Sequence, residues 1–439
     1  PYMMHMPSEN NNKYSTYVCP VIMGYPMVVR NFESPEERFG IPFESPIFHW
    51  FSDHDRKKQI IAYATDHLDV TKAQAISAFQ QAAAVIDGFR KELVRLGTQI
   101  MQEAKEKNQF AIVLAGRPYH TDPFVCHNIS HMFVKRGIPV LTVDSLPELH
   151  DVNLRYTRAE VTNDFHTRML AGASLAASTP ELEYVQIVSF GCGHDAILSD
   201  EIIRIMNEIG QKPPLVLKMD ESDATGSLNI RVQSFVETVR IRRSVVGNST
   251  PVSLPDPYTV KFTKKDKKIK TILVPNVSAA FSKVIKAILE KEGFIAKAVP
   301  MGSIEEIQLG KKYVNNDICF PCQMVIGEAL SELNKGNYKQ DEVAVGMVKW
   351  QCDCRMSQYS ALLRKALDSA GYKDVAIIST DMNDTKELQP GVSILNAASL
   401  LQVAWSVMMI DILESLRRKI RPYELHHGET DRIFEEVLD

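Results

Sequence analysis

The feature that most constrains this 439-residue chain is a hydrophobic period that switches back and forth between strand and helix spacing. Phe110–Ala115 is a short apolar run, closed by a Gly-Arg-Pro turn. A helical segment follows to Arg136, Gly137 stops it, and Pro139–Val143 reads as a second strand. This is the crossover unit of a parallel sheet, whose strands need a long connection to return to the same edge. Tyr184–Phe190, a helix from about Ala196 to Ile209 closed by Gly210, and Pro214–Lys218 repeat the unit. After Lys270 the same alternation resumes, with strands at Thr271–Pro275, Phe294–Val299, Glu342–Val348 and Asp374–Ser379 and helices near 279–292, 322–335 and 357–370. Two doubly wound α/β domains with parallel sheets are expected.

The remaining segments frame those domains. Residues 1–70 are rich in Pro, Asn and aromatics and read as irregular; a long helix then runs from about Val70 to Lys107. Its apolar residues, among them Ile76, Phe79, Ala83, Ile86, Phe89 and Leu93, recur every three or four positions along one face. The expected organisation is an N-terminal segment with the long helix at 1–108, a first α/β domain at 109–246, a linker at 247–270 and a second α/β domain with a C-terminal helix at 271–439. The stretch from Leu395 to Leu413 is interrupted by Asn396, Ser399, Gln402, Ser406 and Asp411, so it reads as a buried helix and not a membrane span.

Six of the seven cysteines fall in four short loop motifs: Cys19-Pro20, Gly191-Cys192-Gly193, Cys319-Phe320-Pro321-Cys322 and Cys352-Asp353-Cys354. Structural cysteines scatter inside apolar runs as small hydrophobes, whereas cysteines beside Gly and Pro at strand ends look like ligands or nucleophiles. Cys126, among Phe124, Val125, Ile129 and Phe133, reads as packing. The odd count and the chain length argue against a disulfide scaffold, and residues 1–15 lack the apolar core of a signal peptide. A reducing, cytoplasmic setting is expected, in which clustered cysteines mean metal or redox chemistry. The first residue is Pro, which suggests processing or a piece of a longer protein. A net charge of −4 gives no case for nucleic acid as a partner. No Walker A sequence is present.

Three other chemistries compete for these motifs. Zinc would accept Cys-x-x-Cys with Cys-x-Cys, yet leaves Cys19 and Cys192 without a role. Cys319 and Cys322 at a helix entrance suit a dithiol redox pair, and that position favours thiolate, but the preceding residues are not a buried strand. Gly191-x-Gly193-x-x-Ala196 with Asp220 fits a relaxed dinucleotide fingerprint, though a pyrophosphate cradle has no need of its central Cys. Iron–sulfur ligation uses the most residues, with thiolates holding the cluster and Gly and Pro shaping loops around it. If both sheets present their strand ends to one cleft, a single cofactor would take ligands from both domains.

The motifs resemble a known family. Tyr17-Val-Cys-Pro-Val, Gly116-Arg-Pro-Tyr-His-Thr-Asp-Pro123, Ser189-Phe-Gly-Cys-Gly-His-Asp-Ala196, Ile318-Cys-Phe-Pro-Cys-Gln323 and Cys354-Arg-Met-Ser-Gln-Tyr359 are similar to the 2-hydroxyacyl-CoA dehydratase and benzoyl-CoA reductase superfamily. Within it they resemble the dehydratase-like region of very large CoA-substrate-specific enzyme activase proteins. The resemblance implies flavodoxin-like or Rossmann-like domains carrying an iron–sulfur cluster, either 4Fe–4S or a double-cubane 8Fe–9S. It implies an ATP-hydrolysing activator, separate or fused upstream, that delivers low-potential electrons for radical dehydration or reduction of a substrate such as an acyl-CoA. Cys19, Cys192, Cys319 and Cys354 then match the core ligands, with Cys322 and Cys352 as further candidates. Related sequences often have Gly-Pro-Cys-Arg where this chain has Cys352-Asp-Cys-Arg. Arg117, His120, His194 and Arg355 become candidates for the substrate or cluster environment, while Arg117 also suits a plain ion pair that fixes its loop. Self-association and a purely electron-relaying role stay open.

Overall fold

The computed structural model describes residues 1–10, 17–159, 163–189, 191–219, 225–245, 251–349, 354–380, 389–392 and 397–438. Cys352 and Asp220 lie outside the described residues. The chain forms two compact units, one of Pro1–Asp256 together with Cys354 and the other of the remaining residues from Pro257 to Asp439.

The first unit opens with a small parallel pair, β1 (Tyr2–His5) and β2 (Ile47–His49), and with α1 (Pro20–Glu33), α2 (Pro35–Phe39), α3 (Asp53–His67) and α4 (Lys72–Glu106). The N-terminal segment expected to be irregular is thus largely helical. Its prolines misled the reading: Pro20 stands in the first turn of α1, where no N–H is needed. Pro35 likewise starts α2. Thr71 and Gln74 close a capping box that sets the start of α4, with Thr71 N–H donating to Gln74 Oε1 at 2.9 Å.

Next come β3 (Ala111–Ala115), α5 (Ile129–Val134), β4 (Val140–Thr142), α6 (Asp164–Ser178), β5 (Leu182–Ser189), α7 (Gly193–Gly210), β6 (Leu215–Met219) and α8 (Thr225–Val245). The sheet order is β4-β3-β5-β6, all parallel. Alternate residues feed two cores: Val113, Tyr184, Leu170 and Ile202 on one face, Ile112, Val185, Ile187, Phe133 and Val232 on the other. Burial on both faces is why these strands read as unbroken apolar runs. Cys126 packs in the second core, as its neighbours suggested. Gly210 is the last residue of α7, as expected, but the left-handed residue that caps it is Gln211. Gly210 also serves a close approach, since an added Cβ would stand 2.4 Å from the Ala177 carbonyl oxygen of α6.

The second unit contains β7 (Thr271–Val274), α9 (Ala279–Lys291), β8 (Ile295–Ala298), α10 (Ile304–Tyr313), α11 (Phe320–Asn334), β9 (Val343–Met347), α12 (Tyr359–Ser369), β10 (Ala376–Ser379), α13 (Ala397–Ile420) and α14 (Glu429–Leu438). Its parallel sheet is ordered β10-β9-β7-β8 over a core that includes Phe262, Ile272, Leu289, Phe294 and Ile378. Counted within each unit, both sheets run 2-1-3-4, the flavodoxin-type order. One expectation fails here. The helix expected to be buried, α13, leaves Leu401, Trp405, Met408 and Ile412 half or more exposed. Among the described residues no helix is long and apolar enough to cross a membrane.

Candidate functional site

In a parallel sheet of order 2-1-3-4 the strand order reverses between the first and third strands, and their carboxyl ends frame the natural crevice. In the first unit those strands are β3 and β5. After β3 the chain passes Gly116 and Arg117 into a tight turn at Pro118–Thr121. After β5 it reaches Cys192, the N-cap residue of α7. A Cβ on Gly116 would lie 2.6 Å from His120 Nδ1, so only glycine lets the imidazole fold back over the strand end.

His120 is buried and its tautomer is set by its neighbours. The Arg117 backbone N–H donates to Nδ1 at 3.1 Å, so the proton of the neutral ring sits on Nε2, 3.2 Å from Ser189 Oγ. Burial, and then the Arg117 charge, lower the His120 pKa to about 4, which keeps the ring neutral near pH 7. Tyr119 extends the chain, its hydroxyl 3.2 Å from Ser189 Oγ.

Arg117 is the hub. It is 7% exposed and Asp195 is fully buried, with Nη1 and Oδ1 2.5 Å apart. The other Asp195 oxygen accepts the Ser189 N–H at 2.9 Å, which ties the start of α7 to the end of β5. Arg117 Nη2 also lies 3.4 Å from Cys192 Sγ. Burial opposes the Arg117 charge, but Asp195, Cys192 and Tyr119 together outweigh it and raise the guanidinium pKa. Burial also pushes the Cys192 thiol up; Arg117 and the backbone N–H groups of His194 and Asp195 pull the other way without overcoming it. His194 stands with its ring 5.0 Å from that of His166, a fully buried histidine in the first turn of α6. Burial, then the His194 charge, hold His166 well below the ordinary imidazole range.

Cys19 is the N-cap residue of α1, with Pro20 next to it, and follows the bridge between Tyr17 and His5. In the second unit Cys319 is the N-cap residue of α11, its Sγ 2.8 Å from the Tyr359 hydroxyl. Cys322 lies in the first turn and is fully buried. Its thiol is pushed well above the ordinary range by burial and then by Cys319, so the thiolate expected from its helix position is not favoured. Cys354 is exposed and precedes a short turn at Arg355–Gln358 that leads into Tyr359. Arg355 is half-buried.

A second buried carboxylate organises the strand ends of this unit. Glu328 on α11 accepts the Gly302 N–H at 2.7 Å and the Asn276 side-chain amide at 3.2 Å. Asn276 in turn donates to the Val299 carbonyl at 2.8 Å.

The structure therefore brings Arg117, His120 and Cys192 together, with His194 two residues on, and joins Cys319 to the residue five positions beyond Cys354. Asp195, Ser189, His166, Glu328 and Tyr359 complete these groups and were not among the candidates. Ser189, Asp195 and Tyr359 lay inside the quoted motifs; His166 and Glu328 carried no local signal. Among the described residues no three His, Cys, Asp or Glu side chains stand together as a metal-holding group, and none of the cysteines there is in a disulfide.

Residues 1–146 match the family model described as the CoA enzyme activase uncharacterised domain (DUF2229). The match supports a place in the CoA enzyme activase family for that third of the chain. No curated protein and no solved structure matches the chain.

Proposed function

We propose that the chain is an iron–sulfur module of the 2-hydroxyacyl-CoA dehydratase type, working with an ATP-hydrolysing activator on a substrate such as an acyl-CoA. One observation carries the reading: Cys19, Cys192 and Cys319 are each the N-cap residue of a helix. Free N–H groups and the positive end of the macrodipole make such positions favourable for thiolates and for an anionic centre bound through them. The match of residues 1–146 to the CoA enzyme activase domain supports the link to an activator.

In this reading Cys19, Cys192, Cys319 and Cys354 hold the group, with Cys322 and Cys352 as additional ligands of a larger one. When bound, an iron–sulfur cluster supplies one-electron chemistry at low potential. The chain's own residues set its surroundings. Arg117 places a fixed positive charge 3.4 Å from Cys192 Sγ and offsets the charge of a thiolate there. His120, held neutral, presents an N–H toward Ser189 and adds no charge of its own.

Anaerobic purification and reconstitution, followed by iron, sulfide and zinc counts and an absorption spectrum, test the proposal. About four irons per chain is expected for one cubane and about eight for a double cubane. Replacing Cys19, Cys192, Cys319 or Cys354 by Ala should lower the iron content, and Cys126→Ala should leave it unchanged. A colourless, iron-free protein after reconstitution sinks the reading, and one zinc per chain replaces it with a structural zinc site.

A further inference from the structure

The stretch that reads as a buried helix is covered on one side only. α13 packs against α9 and α14, and Arg417 fixes it there: its Nε donates to Asp431 at 2.7 Å, and its guanidinium lies 4.8 Å from the centre of the Phe434 ring. Val403 and Ile410, on that side of the helix, are half-buried. On the other side Leu401, Trp405, Met408, Met409, Ile412 and Leu416 are each between 48% and 60% exposed. At 3.6 residues per turn these six fall within roughly 100° of the helix circumference, so they form one stripe.

The size of the stripe decides what it is for. Half of six large apolar side chains is roughly 650 Å² of apolar surface. The largest such patch on an ordinary monomer is about 300–600 Å², and larger ones mark interaction sites. Two copies of the stripe laid together would remove roughly 1,300 Å² from water, within the roughly 1,200–2,000 Å² of specific, stable interfaces.

The pattern of the stripe favours a second copy over an unrelated partner. Its residues are spaced 4, 3, 1, 3 and 4 apart, an order that reads the same in both directions. An antiparallel pairing centred between Met408 and Met409 therefore sets Leu401 opposite Leu416, Trp405 opposite Ile412 and Met408 opposite Met409. Each contact occurs twice, as a two-fold interface requires. Charge does not oppose the pairing. The two ionised residues between Leu401 and Leu416 are Asp411 and Glu414, and both fall off the stripe by helical position. Like charges are thus not brought face to face.

We propose that α13 is a self-association surface, on which two copies of this chain pack their stripes antiparallel about an axis between Met408 and Met409. The proposal is independent of the cysteine motifs and does not rest on the function proposed above.

Sedimentation velocity of the full chain from about 1 to 100 µM tests it, and a dimer should dominate at the upper end. Trp405→Glu and Met408→Glu place a charge at the centre of the interface and should each raise the dissociation constant at least about a hundredfold. Phe32→Glu supplies the control: it removes another exposed apolar side chain, on α1, and should leave the dimer unchanged. A photo-reactive residue, Leu416→p-benzoylphenylalanine, should cross-link to the segment around Leu401 of the other copy when isotope-labelled and unlabelled chains are mixed. A monomer at about 100 µM overturns the proposal and leaves the stripe to a different partner. So does a dimer that survives in folded W405E and M408E, or one that F32E dissociates as readily. Cross-links from position 416 to the Leu416 segment of the other copy would refute the antiparallel pairing. Should W405E not fold by circular dichroism, M408E and the cross-link decide alone.

Discussion

Removing Arg117 should open the first unit far more than its single ion pair suggests on a surface scale. Exposed pairs contribute about 0–1 kcal/mol, because water screens them and side-chain entropy opposes them. Arg117 and Asp195 are 7% and 0% exposed, so Arg117→Ala leaves a carboxylate in the interior with one remaining partner among the described residues, the Ser189 N–H. Breaking a buried pair from one side costs about 3–5 kcal/mol, and the surviving backbone hydrogen bond places this case near 3. Asp195→Ala should cost a similar amount by stranding the guanidinium. The double variant R117A/D195A strands neither charge, so its loss should fall short of the sum by about 2 kcal/mol. With two compact units, a global melt would mix their transitions. Native-state hydrogen exchange in peptides covering β3 and β5 reads the first unit alone. A loss near 3 kcal/mol corresponds to exchange roughly a hundredfold faster in either single variant. Acceleration below about tenfold in both, or an additive double variant, would refute the picture of a desolvated pair.

Two further outcomes follow from the same geometry. His120 titrates at about 4 when folded against 6.5 for an exposed imidazole, so between those values the unfolded chain holds a proton that the folded chain does not. Its contribution is complete above pH 6.5 and is lost as pH falls toward 4; the stability difference between wild type and His120→Gln should shrink by about 2 kcal/mol from pH 7 to pH 5, by the same exchange measurement. Asp164, whose burial raises its pKa to about 6, titrates in the same range but is common to both proteins and cancels in the difference. Gly210→Ala should destabilise the first unit by about 1–3 kcal/mol, because its Cβ would meet the Ala177 carbonyl at 2.4 Å. Gly226→Ala in α8, with nothing within 4 Å, should be neutral or stabilising by up to about 1 kcal/mol, and equal effects at the two sites would contradict the close approach.

What could be read from the chain in advance follows from which interactions are local. Strands such as Leu182–Ser189 are buried on both faces, so their sequence is an apolar run with turn residues at each end, and both parallel sheets were legible. Helix α1 was not, because it has no buried residue and so no apolar period facing a core, and its prolines looked like breaks. The exposure of α13 is hidden for the opposite reason: its apolar content looks like that of a buried helix, and composition alone does not separate the two. In the site, the cysteine and Gly-Arg-Pro motifs stood out because Gly and Pro mark strand ends. Asp195 lies 78 positions from Arg117 and Glu328 lies 52 from Asn276, distances over which no spacing rule operates.

Those two carboxylates suggest why the strand ends can carry exposed loops of cysteine, glycine and proline at all. At the carboxyl end of a parallel sheet the ladder stops, and backbone N–H groups turn inward with no strand to receive them. In the first unit Asp195, from the helix after the third strand, takes the Ser189 N–H. In the second, Glu328, from the helix before the third strand, takes the Gly302 N–H and reaches the Asn276 N–H at 3.4 Å. The two solutions differ in how the buried charge is compensated. Asp195 is neutralised by Arg117, which also touches Cys192, so the anchor of the loop and the surroundings of the thiol are one group. Glu328 is held by amides alone and burial raises its pKa, so its charge is the less secure of the two. The first unit's switch point thus keeps a permanent positive charge beside its cysteine. In the second unit, the polar partner at Cys319 is the neutral Tyr359 hydroxyl. Arg117→Lys, which keeps the charge but loses the fork that spans Asp195 and Cys192, should therefore change the reactivity of the Cys192 thiol more than Tyr359→Phe changes that of Cys319, as read by the rate of thiol alkylation at each cysteine.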